Sequence, residues 1–204
     1  MAIRIFIDQG HNPGGVNAGA EGNGLYEQDV TYEVGRQLGQ LLTATGNYEV
    51  LLSRNSPDEI LGTSNASSLA ARTNAANEWG ADWFISIHAN ASTNQTATGS
   101  EGYVYSLESP AYPLAKEIVA GISAQTGFPE RGVFARPSLY VLRKSAMPAT
   151  LIELGFITTP AEAYLMETDP SAFAKGITAF RNSSASRNSD LQAVIGLPAP
   201  GTYF

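Results

Sequence analysis

The chain has 204 residues, of which 43% are hydrophobic and 15% charged, and this length and composition suit one globular domain. Its net charge of −7 argues against binding to nucleic acid or to an anionic membrane through bulk charge, and no apolar run reaches the roughly 18 residues of a membrane span. Cysteine is absent, which excludes disulfides, thiolate ligands and cysteine nucleophiles, and the only histidines are His11 and His88.

In the first half of the chain, apolar runs alternate with helical repeats. Ile3 to Ile7 is a short apolar run that predicts a buried strand, and the glycine-rich segment 10–24 that follows predicts a long loop. The pattern then predicts a helix over 25–45, a strand over 48–52, a polar surface insertion over 55–67, a helix over 69–79 and a strand over 83–87.

The second half continues in the same way. It predicts a strand over 102–107, a helix over 112–126, short strands over 140–142 and 150–154, and closing helices over 161–166 and 171–180. This alternation indicates an α/β fold, a single domain over 1–180 with a mostly parallel twisted sheet and helices on both faces. From residue 181 the composition becomes rich in Asn and Ser, which predicts a tail or linker stub over 181–204, or a segment that packs on the domain. The chain starts without the apolar run of an export signal.

Four side chains of suitable chemistry are predicted to lie at one edge of this sheet. His11 follows the first strand, His88 ends a central strand, Glu153 lies near the end of the last strand, and Glu27 begins the helix after the glycine-rich loop. In open α/β sheets, sites form outside the carboxyl ends of the strands. We therefore expect the four side chains to converge.

Two imidazoles and one carboxylate are the protein ligands of many catalytic zinc sites, which leave a fourth position to water. The sequence therefore predicts Zn²⁺ at His11, Glu27 and His88. Hydrolysis also needs a carboxylate beyond the metal ligands to take and return a proton, and Glu153 is the candidate because the rest of its strand is apolar.

Each of these residues also has a purely structural interpretation. Either histidine, taken alone, suits a hydrogen-bonded structural role, and Glu27 at a helix start could simply complement the helix dipole. Glu153 could be a paired structural charge. No phosphate-binding loop, dinucleotide-binding glycine pattern, Gly-x-Ser-x-Gly elbow or His-Glu-x-x-His helix is present.

Several sequence blocks occur in an order that resembles a known family. They are Ile7-Asp-Gln-Gly-His11, Gly24-Leu-Tyr-Glu27, Leu69-Ala-Ala-Arg-Thr-Asn-Ala-Ala-Asn77, Ala81-Asp-Trp-Phe-Ile-Ser-Ile-His-Ala-Asn90, Arg131-Gly-Val133 and Pro148-Ala-Thr-Leu-Ile-Glu-Leu-Gly-Phe-Ile157. Together they resemble the zinc-dependent N-acetylmuramoyl-L-alanine amidases of the type 3 amidase family, over about 3–180.

This resemblance implies hydrolysis of peptidoglycan at the amide between N-acetylmuramic acid and the L-alanine of the stem peptide. It also implies that His11, Glu27 and His88 hold Zn²⁺ and that Glu153 is catalytic. Another zinc amide hydrolase, such as a carboxypeptidase or deacetylase, or a catalytically silent peptidoglycan-binding module, stays open as an alternative. The expected place of action is the bacterial cell wall, as a phage lysin or an exported or spore enzyme, with a separate wall-binding domain or an activator as possible partners.

Five further residues receive weaker predictions. Asn12, where the family usually has glycine, and Asn90, two residues after His88, are candidates for substrate contact. Asp8 is a candidate to orient a ligand imidazole, as carboxylates near metal sites often do. Buried pairing or surface packing is expected for Arg72, and the role of Glu101 stays open.

Overall fold

The computed structural model describes residues 2–180, so the predicted tail over 181–204 lies outside the described residues. The elements along the chain are β1 (Ile3–Gln9), β2 (Glu21–Gly22), β3 (Leu25–Tyr26), α1 (Glu27–Thr43), β4 (Tyr48–Leu52), α2 (Asn65–Trp79), β5 (Trp83–Asn90), β6 (Ser100–Val104), α3 (Ala111–Thr126), β7 (Glu130–Ala135), α4 (Tyr140–Lys144), β8 (Ala149–Phe156), α5 (Pro160–Thr168) and α6 (Pro170–Ile177). Within the described residues, no helix is both long and apolar enough to cross a membrane.

Six strands form one sheet in the order β4-β1-β5-β8-β6-β7. β4, β1, β5 and β8 are mutually parallel, whereas β6 pairs antiparallel with β8 and parallel with β7. The predicted α/β fold with a mostly parallel sheet is therefore confirmed. The reversal at β6 has a consequence for the site, because the amino end of β6 lies beside the carboxyl ends of β5 and β8.

The sheet is covered on both faces, as predicted. One face packs against α1, α3 and α6 through a cluster that includes Ile5, Ile85, Leu38, Ile118 and Phe173. The other face packs against α2 and α4 through a smaller cluster that includes Phe6, Phe84, Leu151, Ala76 and Leu142. Burial on both sides explains why β1 and β5 read as almost continuous apolar runs rather than alternating ones.

The glycine-rich segment contains a small hairpin that the prediction of a loop missed. β2 pairs antiparallel with β3, and the two residues between them, Asn23 and Gly24, have φ values of 51° and 81°. Asn-Gly with both φ positive is the preferred two-residue hairpin turn, so the signal was present in the sequence. The hairpin ends at Tyr26, and α1 therefore begins at Glu27 instead of residue 25.

Two predictions in the second half were wrong or incomplete. Segment 140–142 is the start of helix α4 and not a strand. Val141 and Leu142 both pack into the smaller cluster, which adjacent residues of a strand cannot do because they face opposite sides. The edge strand β7 was not predicted, since its sequence, Glu-Arg-Gly-Val-Phe-Ala, has little apolar alternation.

The predicted insertion over 55–67 is shorter than expected because α2 begins within it. Ser64 accepts a hydrogen bond from the main-chain N–H of Ser67, and the Ser67 hydroxyl accepts in return from the N–H of Ser64. Such a capping box satisfies two N–H groups at a helix start. The other predicted elements are present with shifted ends.

Candidate metal centre and its surroundings

Three chain segments bring their side chains together at the carboxyl edge of the sheet. His11 follows β1, Glu27 is the first residue of α1, and His88 lies near the end of β5. His88 Nδ1 is 3.1 Å from His11 Nε2, and Glu27 Oε1 is 3.2 Å from His11 Nε2 and 3.0 Å from His88 Nδ1. The structure thus brings together the three residues that the sequence predicted as metal ligands.

The His11 ring is held by a main-chain contact that the sequence did not reveal. Its Nδ1 is 3.0 Å from the carbonyl oxygen of Asn17, which can only accept a hydrogen bond. Nδ1 of His11 therefore carries the proton, and a neutral ring presents its Nε2 lone pair to Glu27 and His88. The φ of His11 is 66°, an uncommon left-handed value for a residue with a side chain.

Glu27 is buried and accepts hydrogen bonds from two main-chain N–H groups. Ala89 donates to Oε1 at 2.9 Å and Ala20 donates to Oε2 at 2.7 Å. Burial alone would raise the pKa of Glu27, but the hydrogen bonds with both histidines hold it far below its usual range. Burial disfavours the charged form of His11 and would lower the pKa of its ring. The hydrogen bond and the charge of Glu27 outweigh this effect, so the pKa of His11 is raised.

Glycines allow this close approach. A Cβ at Gly10 would lie 2.6 Å from Cε1 of His88, and a Cβ at Gly19 would lie 2.8 Å from Oε2 of Glu27. Any larger residue at either position would displace one of the three side chains. The glycine-rich loop therefore supplies backbone that can pass directly behind the site.

The donor set fits Zn²⁺ in type and spacing. Zinc binds imidazole nitrogen and carboxylate oxygen at about 2.0–2.2 Å in a tetrahedron, which separates the ligand atoms by about 3.3 Å. The three separations between ligand atoms are 3.0–3.2 Å. Two imidazole nitrogens and a carboxylate that converge on one point repel one another unless protons or a cation lie between them, and these residues can hold a divalent metal.

Glu153 lies beside this cluster on the neighbouring strand. In the pairing of β5 with β8 it stands opposite His88, so the two side chains extend from the same face of the sheet. Its Oε2 atom is buried and has no hydrogen-bond partner in residues 2–180. Burial, followed by the negative charges of Glu27 and Glu101, raises the pKa of Glu153 to about 8.

Glu101, whose role the sequence left open, stands opposite Glu153 on the other side. It pairs with Glu153 in the register of β6 with β8. Its carboxylate accepts from the Tyr103 hydroxyl and forms an ion pair with Arg131. Arg131, which lies on β7, thus compensates the charge of Glu101. The sequence did not reveal this contact because β7 was not predicted.

Within residues 2–180, Asp8 forms no hydrogen bond with either imidazole, so the prediction that it orients one directly was wrong. One oxygen of its buried carboxylate is 2.7 Å from Nη1 of Arg72, and the other accepts from the Ser86 hydroxyl at 2.7 Å. Arg72 is 1% exposed, which confirms the predicted buried pairing, and it also donates to the carbonyl oxygens of Gln9 and His11. Asp8 therefore acts on the histidine loop through Arg72.

The two asparagines predicted to contact substrate differ in their surroundings. Asn12 is fully buried; its amide donates to the carbonyl oxygens of Val16 and Leu61, and its oxygen accepts from Arg72. These bonds occupy its polar atoms and hold the glycine-rich loop, so the side chain of Asn12 has a structural role. Asn90 is half-buried, and within the described part of the chain its Oδ1 accepts only from the N–H of Ala91. Contact of Asn90 with substrate stays a prediction.

Comparison with known protein sequences identifies relatives of this chain. A family model described as N-acetylmuramoyl-L-alanine amidase matches residues 5–180. The sporulation-specific N-acetylmuramoyl-L-alanine amidase of Bacillus subtilis is 41% identical over 170 residues, which cover 81% of this chain and 61% of that protein. The amidase CwlM of Bacillus licheniformis is 39% identical over 177 residues, which cover 86% of this chain and 64% of that protein. The chain therefore spans less than two thirds of the length of these two relatives.

Solved structures agree with the sequence matches. The N-acetylmuramoyl-L-alanine amidase of Clostridium difficile 630 superimposes with a TM-score of 0.79 and is 32% identical, and the match covers 91% of this chain and 97% of that one. The CwlD amidase of Clostridioides difficile, solved in complex with the GerS lipoprotein, also has a TM-score of 0.79 at 24% identity, covering 90% of this chain and 98% of that one.

Proposed function

The chain belongs to the N-acetylmuramoyl-L-alanine amidase family, and from this premise we propose that it is the catalytic domain of a zinc-dependent peptidoglycan hydrolase. The bond cleaved is the amide between N-acetylmuramic acid and the L-alanine of the stem peptide. The observation that carries the proposal is the convergence of His11, Glu27 and His88 beside Glu153, whose buried Oε2 has no hydrogen-bond partner among the residues that the structure describes.

His11 and His88 would hold the metal through Nε2 and Nδ1, and Glu27 through Oε1. When bound, Zn²⁺ supplies a Lewis acid that polarises the amide carbonyl and makes water more acidic. The protein's own contribution is to fix the ligands in advance. The Asn17 carbonyl selects the tautomer of His11, and two main-chain N–H groups orient the carboxylate of Glu27.

Glu153 is proposed as the residue that moves protons. A carboxylate takes a proton from the attacking water and returns it to the leaving amine, and this exchange is most effective when its pKa is near the working pH. The raised pKa of about 8 and the absence of a partner for Oε2 between residues 2 and 180 suit that role, because a paired structural glutamate would have neither. A bound cation would lower the pKa of Glu153 toward neutrality.

The alternatives differ in substrate or in turnover. Another zinc amide hydrolase would use the same four groups on a different amide, and a silent binding module would bind the wall without cutting it. Family membership favours the muramoyl–alanine bond, and an intact Glu153 argues against a silent site.

The proposed metal ligands are partly open to solvent. The side chains of His11 and His88 are 21% and 16% exposed. We therefore propose that a glycan strand reaches the site at the cell wall without an activator.

The test is digestion of purified peptidoglycan with the full chain, followed by mass analysis of the fragments. Free muramoyl lactyl groups and new L-alanine amino termini that disappear with a chelator and return with Zn²⁺ are the expected result. Cleavage at another amide would select the second class of hydrolase. Wall binding without any fragments, in zinc-loaded protein, would select the silent module.

A further inference from the structure

Beyond Glu153, the sheet carries an arginine and two aromatic rings that the proposed mechanism does not use. Cζ of Arg136 is 5.2 Å from the ring centroid of Tyr103 and 5.8 Å from that of Phe134, and the two rings are 6.4 Å apart. We call these three residues the Arg136 cluster. Separations below about 6 Å are those of cation–π contacts, so the rings hold the guanidinium in place.

The guanidinium of Arg136 remains available to a ligand. Arg136 is exposed, and its one side-chain hydrogen bond to the described residues goes from Nη1 to the carbonyl oxygen of Ala135 at 3.2 Å. No carboxylate pairs with it among residues 2–180, in contrast to Arg131, which is paired with Glu101. In an acidic chain, a stacked arginine with most of its N–H donors free suits an anionic group, because its planar fork matches a carboxylate.

The cluster lies close to Glu153 along the sheet. Tyr103 follows Glu101 by two residues on β6, and Glu101 stands opposite Glu153. Residues two apart on a strand face the same side and are separated by roughly 7 Å. Tyr103, on whose ring the guanidinium stacks, therefore lies about two residues of extended peptide along β6 from the position opposite the carboxylate proposed to protonate the leaving group.

The direction of the leaving group follows from the order of strands. The proposed metal ligands extend from β1, α1 and β5, and Glu153 extends from β8, which lies between β5 and β6. Because Glu153 must reach the leaving nitrogen, the amine lies on the β8 side of the scissile carbonyl. A stem peptide that continued from that amine in the same direction would pass over β6 and β7, the strands that carry Tyr103 and Phe134 of the Arg136 cluster.

We infer that Arg136 binds a carboxylate of the stem peptide, the α-carboxylate of its second residue. The inference applies where this residue is an acidic amino acid joined to the next residue through its side-chain carboxyl, which leaves its α-carboxyl group either free or amidated. The inference rests on the proposed function, because it takes the direction of the peptide from the place of Glu153. It makes Arg136 a residue that distinguishes acidic from amidated stem peptides.

The experiment uses two muramoyl tripeptides that differ only in a carboxylate or a carboxamide at the second residue. Zinc-loaded wild type, Arg136→Gln, Arg136→Lys and Lys116→Gln are compared for KM and kcat on both. Lys116 is the matched control, because it is an exposed cation on α3, on the opposite face of the sheet.

For the acidic substrate, Arg136→Gln is expected to raise KM about tenfold at unchanged kcat, the size of one lost charged hydrogen bond. The amidated substrate should show little change, and Arg136→Lys should recover part of the loss, whereas Lys116→Gln should behave as wild type. An equal loss on both substrates, or no loss on either, overturns the role of Arg136. If wild type cleaves neither tripeptide but digests whole peptidoglycan at the muramoyl–alanine bond, the four proteins are compared on whole peptidoglycan with an acidic or an amidated second residue, and an equal loss on both again overturns the role of Arg136. If it does not cut whole peptidoglycan either, the proposed function itself fails.

Discussion

Arg72 donates from Nη2 to the main-chain carbonyl oxygen of His11, across 61 residues of chain. The same guanidinium pairs with Asp8 at 2.7 Å, and both side chains are 1% exposed. The φ of His11 is 66°, a value that a residue with a side chain keeps only when its surroundings impose it. Arg72 thus joins the end of β1 to the loop that carries the first proposed ligand.

Replacing Arg72 by methionine is expected to cost about 3–5 kcal/mol in free energy of unfolding, because it leaves the buried carboxylate of Asp8 without its cation. Urea unfolding of the zinc-free protein measures this loss. Arg36→Met is the control, since Arg36 and Glu33 form an exposed i,i+3 pair whose removal should change the free energy by less than about 1 kcal/mol. Equal effects for the two variants would contradict the structural role given to Arg72.

Glu153→Gln is expected to keep stoichiometric zinc and to lower kcat by about 10²–10⁴, because the amide cannot exchange a proton with the leaving amine. Zinc content by elemental analysis and release of L-alanine amino termini measure the two quantities. Glu130→Gln is the control, as Glu130 is an exposed carboxylate on β7. Full activity in zinc-loaded Glu153→Gln would remove Glu153 from the mechanism.

Much of the candidate site could be predicted from the sequence because parallel strands end at the same edge. His11 and His88 follow or end apolar strands, so their convergence required only that β1 and β5 be parallel neighbours, which they are. Glu153 required the same of β8.

The surroundings of the site could not be predicted in the same way. Apolar periodicity carries no information on strand direction, so the reversal of β6, which sets Glu101 opposite Glu153, was invisible. The partner of Asp8 lies 64 residues away in α2, and nothing in the local sequence favours Arg72 over an imidazole. The role of the Asn17 carbonyl depends on loop geometry and not on residue type.

Zinc is expected to stabilise the folded protein through His88. A metal that binds only the native state adds about 2.7 kcal/mol at a free concentration of 100 times its Kd. When chelated protein is titrated with Zn²⁺, the Tm of wild type should therefore rise and the Tm of His88→Ala should stay constant. His88→Ala should also lose turnover. His88→Ala with an unchanged zinc-dependent Tm would mean that the metal binds elsewhere.

The stability of the zinc-free protein is expected to fall as the pH rises from about 5 to 9. Burial, with the charges of Glu27 and Glu101, raises the pKa of Glu153 from 4.5 to about 8, so the folded chain binds this proton more tightly than the unfolded chain does. The stabilisation is complete below the unfolded pKa and is lost by the time the pH has passed the folded one. The loss assigned to Glu153 is about 5 kcal/mol.

Urea unfolding of chelated wild type and chelated Glu153→Gln at several pH values separates this effect from those of neighbouring groups. Glu27 and His11 also titrate with shifted pKa values, but both are present in the two proteins, so the difference in free energy of unfolding reports Glu153. The glutamine variant should gain stability relative to wild type from about pH 5, and this gain should level off above pH 8, because its amide needs no proton to remain buried beside Glu101. Parallel pH profiles for the two proteins would mean that Glu153 is solvated in the zinc-free state, and its suitability as a proton carrier would then depend on the metal alone.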